Sequence, residues 1–379
     1  RKTKHLFFEL PKVEGELRQW LESNDQLPPN ARNFALGWLK DGLQERCITR
    51  DLTWGVKVPL AGYEDKVFYV WFDAPIGYIS ITKQLFNSRK QPEKWKDYWR
   101  SNDCKLIHFL GKDNVAFHTV LFPAMLIASK YAILPSQVKS FEFLNYEGGK
   151  FSTSRKYGIF TDEALDWFPP DYWRYYLLSI LPEHSDADFV WSDFQSKVNN
   201  DLNDVLGNLV HRCLTFTKNN FDGKVPAKGT LTKTDEEFVA VINERAGKVA
   251  GLFDAYRIQE ALREALGLAR EGNKYFNDKE PWHAIKNDKA SAGTTLYVTV
   301  NALRSIAVLL EPFIPFSSQK ILELLKAEGL KNDWASAGEL QLKEGHEVAG
   351  KIEPLFTKIE AERVEELRAL IAERGKTGN

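Results

Sequence analysis

Apolar positions in the first fifty residues recur at helical spacing. Two amphipathic stretches, residues 13–23 and 30–42, flank the breaker Pro28-Pro29 and predict two helices. The pattern then changes. Residues 66–73 read Lys-Val-Phe-Tyr-Val-Trp-Phe-Asp, nearly all apolar and rich in β-branched and aromatic side chains. Such a run predicts a strand buried on both faces, and hence a parallel sheet under helices, with Pro75 and Gly77 ending it. Residues 106–110 predict a second buried strand, followed at once by Gly111-Lys112-Asp113 and a helix through Lys130. Strand, polar turn and helix make the α/β unit, in which ligands sit at the carboxyl ends of the strands. Residues 139–144 predict a third strand, which runs into a loop from Gly148 to Arg155 without core periodicity.

Helical patterns dominate from there on. Ser192-Asp193-Phe194-Gln195 and Thr234-Asp235-Glu236-Glu237 both have capping-box spacing, so each predicts a helix start. Between them Val198, Leu202, Val205, Leu209, Cys213 and Phe216 step by three and four, forming one core stripe. The change of pattern places a domain boundary near Asp193. Beyond Gly350 the chain closes with a charged helix, residues 359–373, and a loose Gly-Lys-Thr-Gly-Asn end.

A length of 379 residues gives room for two cores, and 43% hydrophobic against 27% charged residues marks a folded chain. The net charge of -1 gives no bulk electrostatic footprint for nucleic acid, so RNA contact must come from local patches. Cys47, Cys104 and Cys213 are far apart, which indicates neither a zinc knuckle nor a disulfide framework and fits a reducing cytosol. No apolar run approaches membrane-spanning length and no signal-peptide pattern opens the chain. The chain opens on Arg1 and its one methionine is Met125, which raises the expectation of a fragment whose front is elsewhere.

Four constellations carry candidate chemistry. Lys150, Ser152, Thr153, Ser154, Arg155 and Lys156 crowd behind two glycines, a combination that suits phosphate but also describes a solvated surface loop. Trp71-Phe72-Asp73-Ala74-Pro75-Ile76-Gly77-Tyr78 puts aromatics around small residues at a strand end, which suits an apolar ligand or plain packing. Gly111-Lys112-Asp113-Asn114 opens a helix that carries His118 on the same face as Asn114, for a ligand or as structure. Asp201, Asp204, Asn208 and Arg212 form a polar stripe, with Asn208 and Arg212 one turn apart, and Pro281-Trp282 follows a polar stretch. Forked side chains suit base edges and an isolated Trp suits stacking, although a solvated face and a core anchor use the same residues.

The order of these segments resembles methionyl-tRNA synthetase, a class I aminoacyl-tRNA synthetase. Tyr69 to Tyr78, Gly111-Lys112-Asp113 and Phe143-Leu144-Asn145-Tyr146-Glu147 are similar to that family, and Lys150-Phe151-Ser152-Thr153-Ser154 resembles its KMSKS signature. Asn208-Leu209-Val210-His211-Arg212 and Glu280-Pro281-Trp282 resemble its anticodon-reading elements; Leu309 to Phe316 and Pro354-Leu355-Phe356 resemble later segments. The resemblance implies an α/β fold: the second half of a class I Rossmann-type nucleotide-binding fold, followed by an α-helical bundle that binds the anticodon. It divides the chain into the end of a connective insertion (1–65), a Rossmann-type half with the loop (66–192), an anticodon-binding domain (193–349) and a tail helix (350–379).

The implied reaction joins methionine to tRNA(Met) through methionyl-adenylate, with Mg-ATP as substrate, in the cytoplasm. By resemblance Trp71, Ala74, Pro75, Tyr78, Asn114 and His118 line the methionine pocket. Gly111, Asp113, Lys150, Ser152, Ser154 and Arg155 border ATP, Arg50 lies near the triphosphate, and Lys150 and Arg50 carry the catalysis. Asn208, Arg212 and Trp282 read the CAU anticodon. Two departures stand out. Thr153 replaces the signature's second lysine, so either Lys150, Arg155 or Lys156 substitutes or activation is slower. No His-x-Gly-His motif and no zinc-binding insertion occur, so the resemblance implies a missing amino-terminal catalytic half as a partner. The rival expectations are a tRNA-binding fragment inactive without that half, and a sister ligase for another apolar amino acid.

Overall fold

The computed structural model describes residues 3–377, with side chains up to Arg374. Arg1, Lys2, Gly378 and Asn379 lie outside the described residues. Packing divides the chain into two compact units, residues 1–143 with 183–185, and residues 144–182 with 186–379. This division falls well before the expected boundary near Asp193, because the segment carrying the basic loop pairs with a strand just upstream of the helices.

In the first unit both expected helices form, as Glu14–Ser23 and Pro29–Lys40. Pro29 stands at the first helical turn, where its missing N–H costs nothing. Leu17 and Leu21 on one helix, and Ala35 and Leu39 on the other, bury together with Val120, Ala124 and Val138. The second strand appears as Ile107–Gly111, parallel to Gln137–Phe141 with Ile107 opposite Gln137 and Gly111 opposite Phe141. Ile79, Phe86, Trp95, Trp99, Phe122 and Leu126 form a separate small core.

The strand expected over residues 66–73 is a correction. Only Val67–Phe68 is extended, antiparallel to Thr49–Arg50. The chain then coils into the short helix Val70–Asp73, and Val70 is exposed. A continuous apolar run carries no period, so it does not separate strand from helix. Here the apolar side chains form a wall rather than the inside of a sheet.

In the second unit Leu144–Tyr146 runs parallel to Ala187–Phe189. Helices follow, and both capping boxes are displaced. Trp191–Lys197 starts on Val190 without a side-chain cap. Lys233–Asp254 is capped two residues early by Thr232, whose N–H and hydroxyl both donate to Asp235 at 2.8 and 2.7 Å. Val198, Leu202, Leu209 and Cys213 are fully buried as the stripe predicts. The segment Val198–Gly207 is a π-helix, which brings Leu206 into the core and leaves Val205 half-buried. The last helix, Ala361–Thr377, runs on into the expected loose tail.

Helix Lys289–Leu310 corrects another expectation. By length and composition it is apolar enough to cross a membrane, yet residues 292–310 are all buried inside the second unit. Asp288 caps it by accepting from the Ser291 amide at 2.9 Å. Asn301 and Arg304 are fully buried in it, beside the buried hydroxyls of Thr294, Thr295, Thr299 and Ser305.

Candidate functional site

In the first unit the chain after Tyr69 builds one wall of the site. Ala74 and the buried Pro75 make the corner between Val70–Asp73 and helix Ile76–Ser88, which delivers Tyr78. Gly111 ends its strand, and a Cβ there would meet the Asp113 carboxylate at 2.9 Å, so glycine lets Asp113 fold back. After the turn Lys112–Asn114 the chain forms the π-helical segment Phe117–Leu121, which carries His118.

The Tyr78 hydroxyl lies 3.0 Å from His118 Nε2, and His118 Nδ1 lies 3.0 Å from the Asn114 carbonyl oxygen. A carbonyl only accepts, so Nδ1 carries the hydrogen, Nε2 is the acceptor and the Tyr78 O–H donates inward. Burial lowers the His118 pKa, partly offset by the Asn114 bond, which keeps the ring neutral. The motifs in the sequence omit one neighbour: His108, inside the strand Ile107–Gly111. Its ring meets that of His118 edge-on at 5.3 Å and stacks on Phe122 at 5.9 Å. Both its nitrogens are buried without a hydrogen-bond partner among the described residues, and burial, then repulsion from His118, lowers its pKa to about 4. The available signal was a histidine within an otherwise apolar strand.

Trp71 stacks on Phe117 at 4.5 Å and 16°. Both line a cavity of about 590 Å³ with Arg50, Tyr69 and Asp113. Arg50 is held by the Cys47 and Thr49 carbonyls at 3.1 and 2.8 Å and lies 4.1 Å from the Tyr69 ring centre. The cavity thus has an aromatic side, two cations in Arg46 and Arg50, and two exposed carboxylates in Glu45 and Asp113. That arrangement suits a flat, charged ligand beside an apolar one.

The basic loop belongs to the second unit. Ser152 and Tyr157 exchange backbone hydrogen bonds at 2.9 Å, and the Lys156 amide donates to the Thr153 carbonyl at 3.1 Å, closing a tight hairpin. Gly158 is required: a Cβ there would lie 2.2 Å from the Phe151 ring. Lys150, Ser152 and Arg155 line a cavity of about 920 Å³ with Tyr157 and Ala372. Ser154 reaches the Ser152 hydroxyl at 3.4 Å.

The polar stripe on the later helices splits. Asp201 is taken by Arg270 at 2.6 Å and by the Tyr175 hydroxyl at 2.6 Å, and Asp204 by Lys358 at 3.0 Å. Arg212 instead donates to Asn277 Oδ1 at 3.0 Å, with its guanidinium 5.4 Å from the half-buried Trp282 ring and 5.2 Å from Phe276. Asn208 stands exposed one turn before it. Glu280, at a φ of 39°, starts the helix Pro281–Asn287 that presents Trp282.

Comparison with known proteins finds two family models along the chain. Residues 1–214 match the family model of class I (M) tRNA synthetases, and residues 225–375 match the anticodon-binding domain of methionyl-tRNA ligase. Methionine–tRNA ligase of Thermofilum pendens is 44% identical over 97% of this chain and 66% of its own length. That of Pyrococcus furiosus is 42% identical over 96% of this chain and 51% of its own length. A solved structure of the Mycobacterium tuberculosis methionyl-tRNA synthetase with methionyl-adenylate aligns with a TM-score of 0.84 at 30% identity, covering 94% of this chain and 69% of that one. The chain therefore spans about half to two thirds of the relatives' length. These matches take in nearly all of the chain. By these matches the chain belongs to the methionyl-tRNA synthetase family, with the class I synthetase fold and a helical anticodon-binding region.

Proposed function

We propose that this chain activates methionine with ATP and reads the anticodon of tRNA(Met). The observation that carries the proposal is the Tyr78–His118–Asn114 hydrogen-bonded set, adjoining through Phe117 a cavity that holds Trp71, Arg50 and Asp113. A neutral imidazole, a phenol whose hydrogen is committed inward and two large aromatic faces favour an uncharged, polarisable thioether over a charged side chain. Trp71, Ala74, Pro75, Tyr78, Asn114 and His118 are assigned to methionine, and Gly111, Asp113, Lys150, Ser152, Ser154 and Arg155 to Mg-ATP. The parallel pair Ile107–Gly111 and Gln137–Phe141 is read as part of the second half of a Rossmann-type fold.

In this reading a methionine carboxylate oxygen attacks the α-phosphorus. The bond to the β-phosphate oxygen breaks, and pyrophosphate leaves with its electrons. No covalent enzyme intermediate is needed, only positioning and cations on the leaving group. Lys150 and Arg50 supply them. Arg155 takes the place of the signature's second lysine: it lines the loop cavity with Lys150. A terminal ribose hydroxyl of tRNA(Met) then attacks the methionyl carbonyl and releases AMP. Arg212, Trp282 and Asn208 are assigned to the anticodon, and the domain limits stay as the resemblance implies, at residues 65, 192 and 349. The reading carries a cytoplasmic location with it, where the free thiols of Cys47, Cys104 and Cys213 are at home.

The test is methionine-dependent ATP–pyrophosphate exchange by the full-length protein. Exchange with methionine, abolished by omitting it, is the expected result. Preference for leucine or valine would reject the assignment in favour of a sister ligase.

A further inference from the structure

The basic loop is bounded on both sides by left-handed backbone. Glu147 and Gly148 have φ of 47° and 77° on the way in; Lys156 and Gly158 have 51° and 119° on the way out. Glu147 and Lys156 adopt a conformation that costs a side-chain-bearing residue energy, so something around them must fix it. Two arginines of the last helix, Ala361–Thr377, reach these two limits. Arg368 pairs with Glu147 Oε2 at 3.2 Å, and the other carboxylate oxygen of Glu147 accepts from the Trp191 amide at 3.0 Å. Arg374 donates to the carbonyls of Lys156 at 3.0 Å and Gly158 at 2.6 Å. It also ion-pairs with Glu163 and lies 4.9 Å from the Phe160 ring centre. The helix carrying both is itself anchored, since Val364, Leu367 and Ile371 are buried in the core of the second unit.

We propose that Arg368 and Arg374 are positioning residues for the basic loop, a two-point clasp that fixes its entry and exit so that Lys150, Ser152 and Arg155 face phosphate together. The inference rests on the reading that this loop receives the ATP triphosphate. Among the lining residues given above, the last helix contributes Ala372, and neither arginine is in that set. The clasp acts through geometry. Charge-assisted bonds to backbone carbonyls are short and directional, and a forked guanidinium spans two of them at once. A displacement of about 1 Å in a group that stabilises a leaving phosphate costs about 10²-fold in rate.

The experiment uses the full-length protein with R368A, R374A, the double variant, R374K and, as a control on the loop, K150A. The double variant is expected to lower kcat for ATP–pyrophosphate exchange about 10–100-fold, with KM for methionine and the melting temperature unchanged. Amides of residues 149–157 exchange faster with deuterium in it, and R374K recovers part of kcat. An unchanged kcat in the double variant, where K150A abolishes exchange, overturns the clasp and leaves the loop assignment standing. So does a loss of kcat that tracks a fall in melting temperature without rescue by R374K. If K150A leaves exchange intact, the loop assignment falls instead, and amide exchange then decides the clasp: faster in the double variant supports it, unchanged overturns it.

Discussion

Two aromatic clusters, one in each unit, are used in opposite ways. In the second, Trp173, Phe189, Trp191, Phe194 and Tyr176 close on one another, with Trp173 and Phe194 stacked at 4.6 Å, and all five are buried. In the first, Trp71 and Phe117 are stacked just as tightly but stay half-exposed, and Tyr78 is 43% exposed. Equal stacking with unequal burial separates packing from recognition. A sealed aromatic contributes its whole transfer energy to the fold, whereas an exposed pair keeps a face for something else.

The largest expected break in this comparison is Trp191→Ala, which should cost about 3–5 kcal/mol of stability, read from a urea midpoint. Trp71→Ala should leave that midpoint nearly unmoved and raise KM for methionine; equal stability losses would erase the distinction. Next comes Lys150→Ala, expected to lower exchange kcat about 10²–10³-fold without affecting methionine binding by equilibrium dialysis. The third concerns pH. His108 is held neutral by burial, with its pKa lowered from 6.5 to about 4. The unfolded chain therefore takes up this proton first as pH falls. The stability is complete above pH 6.5, is lost between 6.5 and about 4, and is level below. Its size is about 3 kcal/mol at the acid end, and His108→Phe should flatten that part of a stability–pH curve. The smallest is Trp282→Ala, expected to cost about 1–3 kcal/mol of anticodon discrimination in aminoacylation of anticodon variants, with pyrophosphate exchange unchanged. A matching loss in exchange would make Trp282 a core residue like Trp191.

Much of the helical half was legible because burial on one face leaves a period, as in Val198, Leu202, Leu209 and Cys213. The π-helix was not, because one extra residue per turn shifts the stripe without changing its composition. The wall from Val70 to Asp73 was misread as strand, since a continuous run of aromatic and β-branched residues has no period that separates a short helix from a strand. Site residues near glycines, such as Asp113 and Lys150, stood out by their neighbours. His108 stood out only as a lone histidine in an apolar strand, and its ring contact with His118 follows from the fold rather than from any motif. The clasp was invisible for a similar reason: Arg374 and Lys156 are 218 residues apart.

Helix Lys289–Leu310 has a consequence for how the chain is made. Its guanidinium at Arg304 is satisfied entirely from downstream, by Asn332 at 3.1 Å, by the Ser336 carbonyl and hydroxyl, both at 2.9 Å, by the Glu339 carbonyl at 3.3 Å and by Lys331. Asn301 likewise exchanges hydrogen bonds with the Leu342 backbone at 2.8 and 3.0 Å. A nascent polypeptide halted before Lys331 exposes a greasy segment as long as a bilayer is thick, with a stranded positive charge in it. Quality control by proteases or chaperones has a clear mark to read until translation passes that residue.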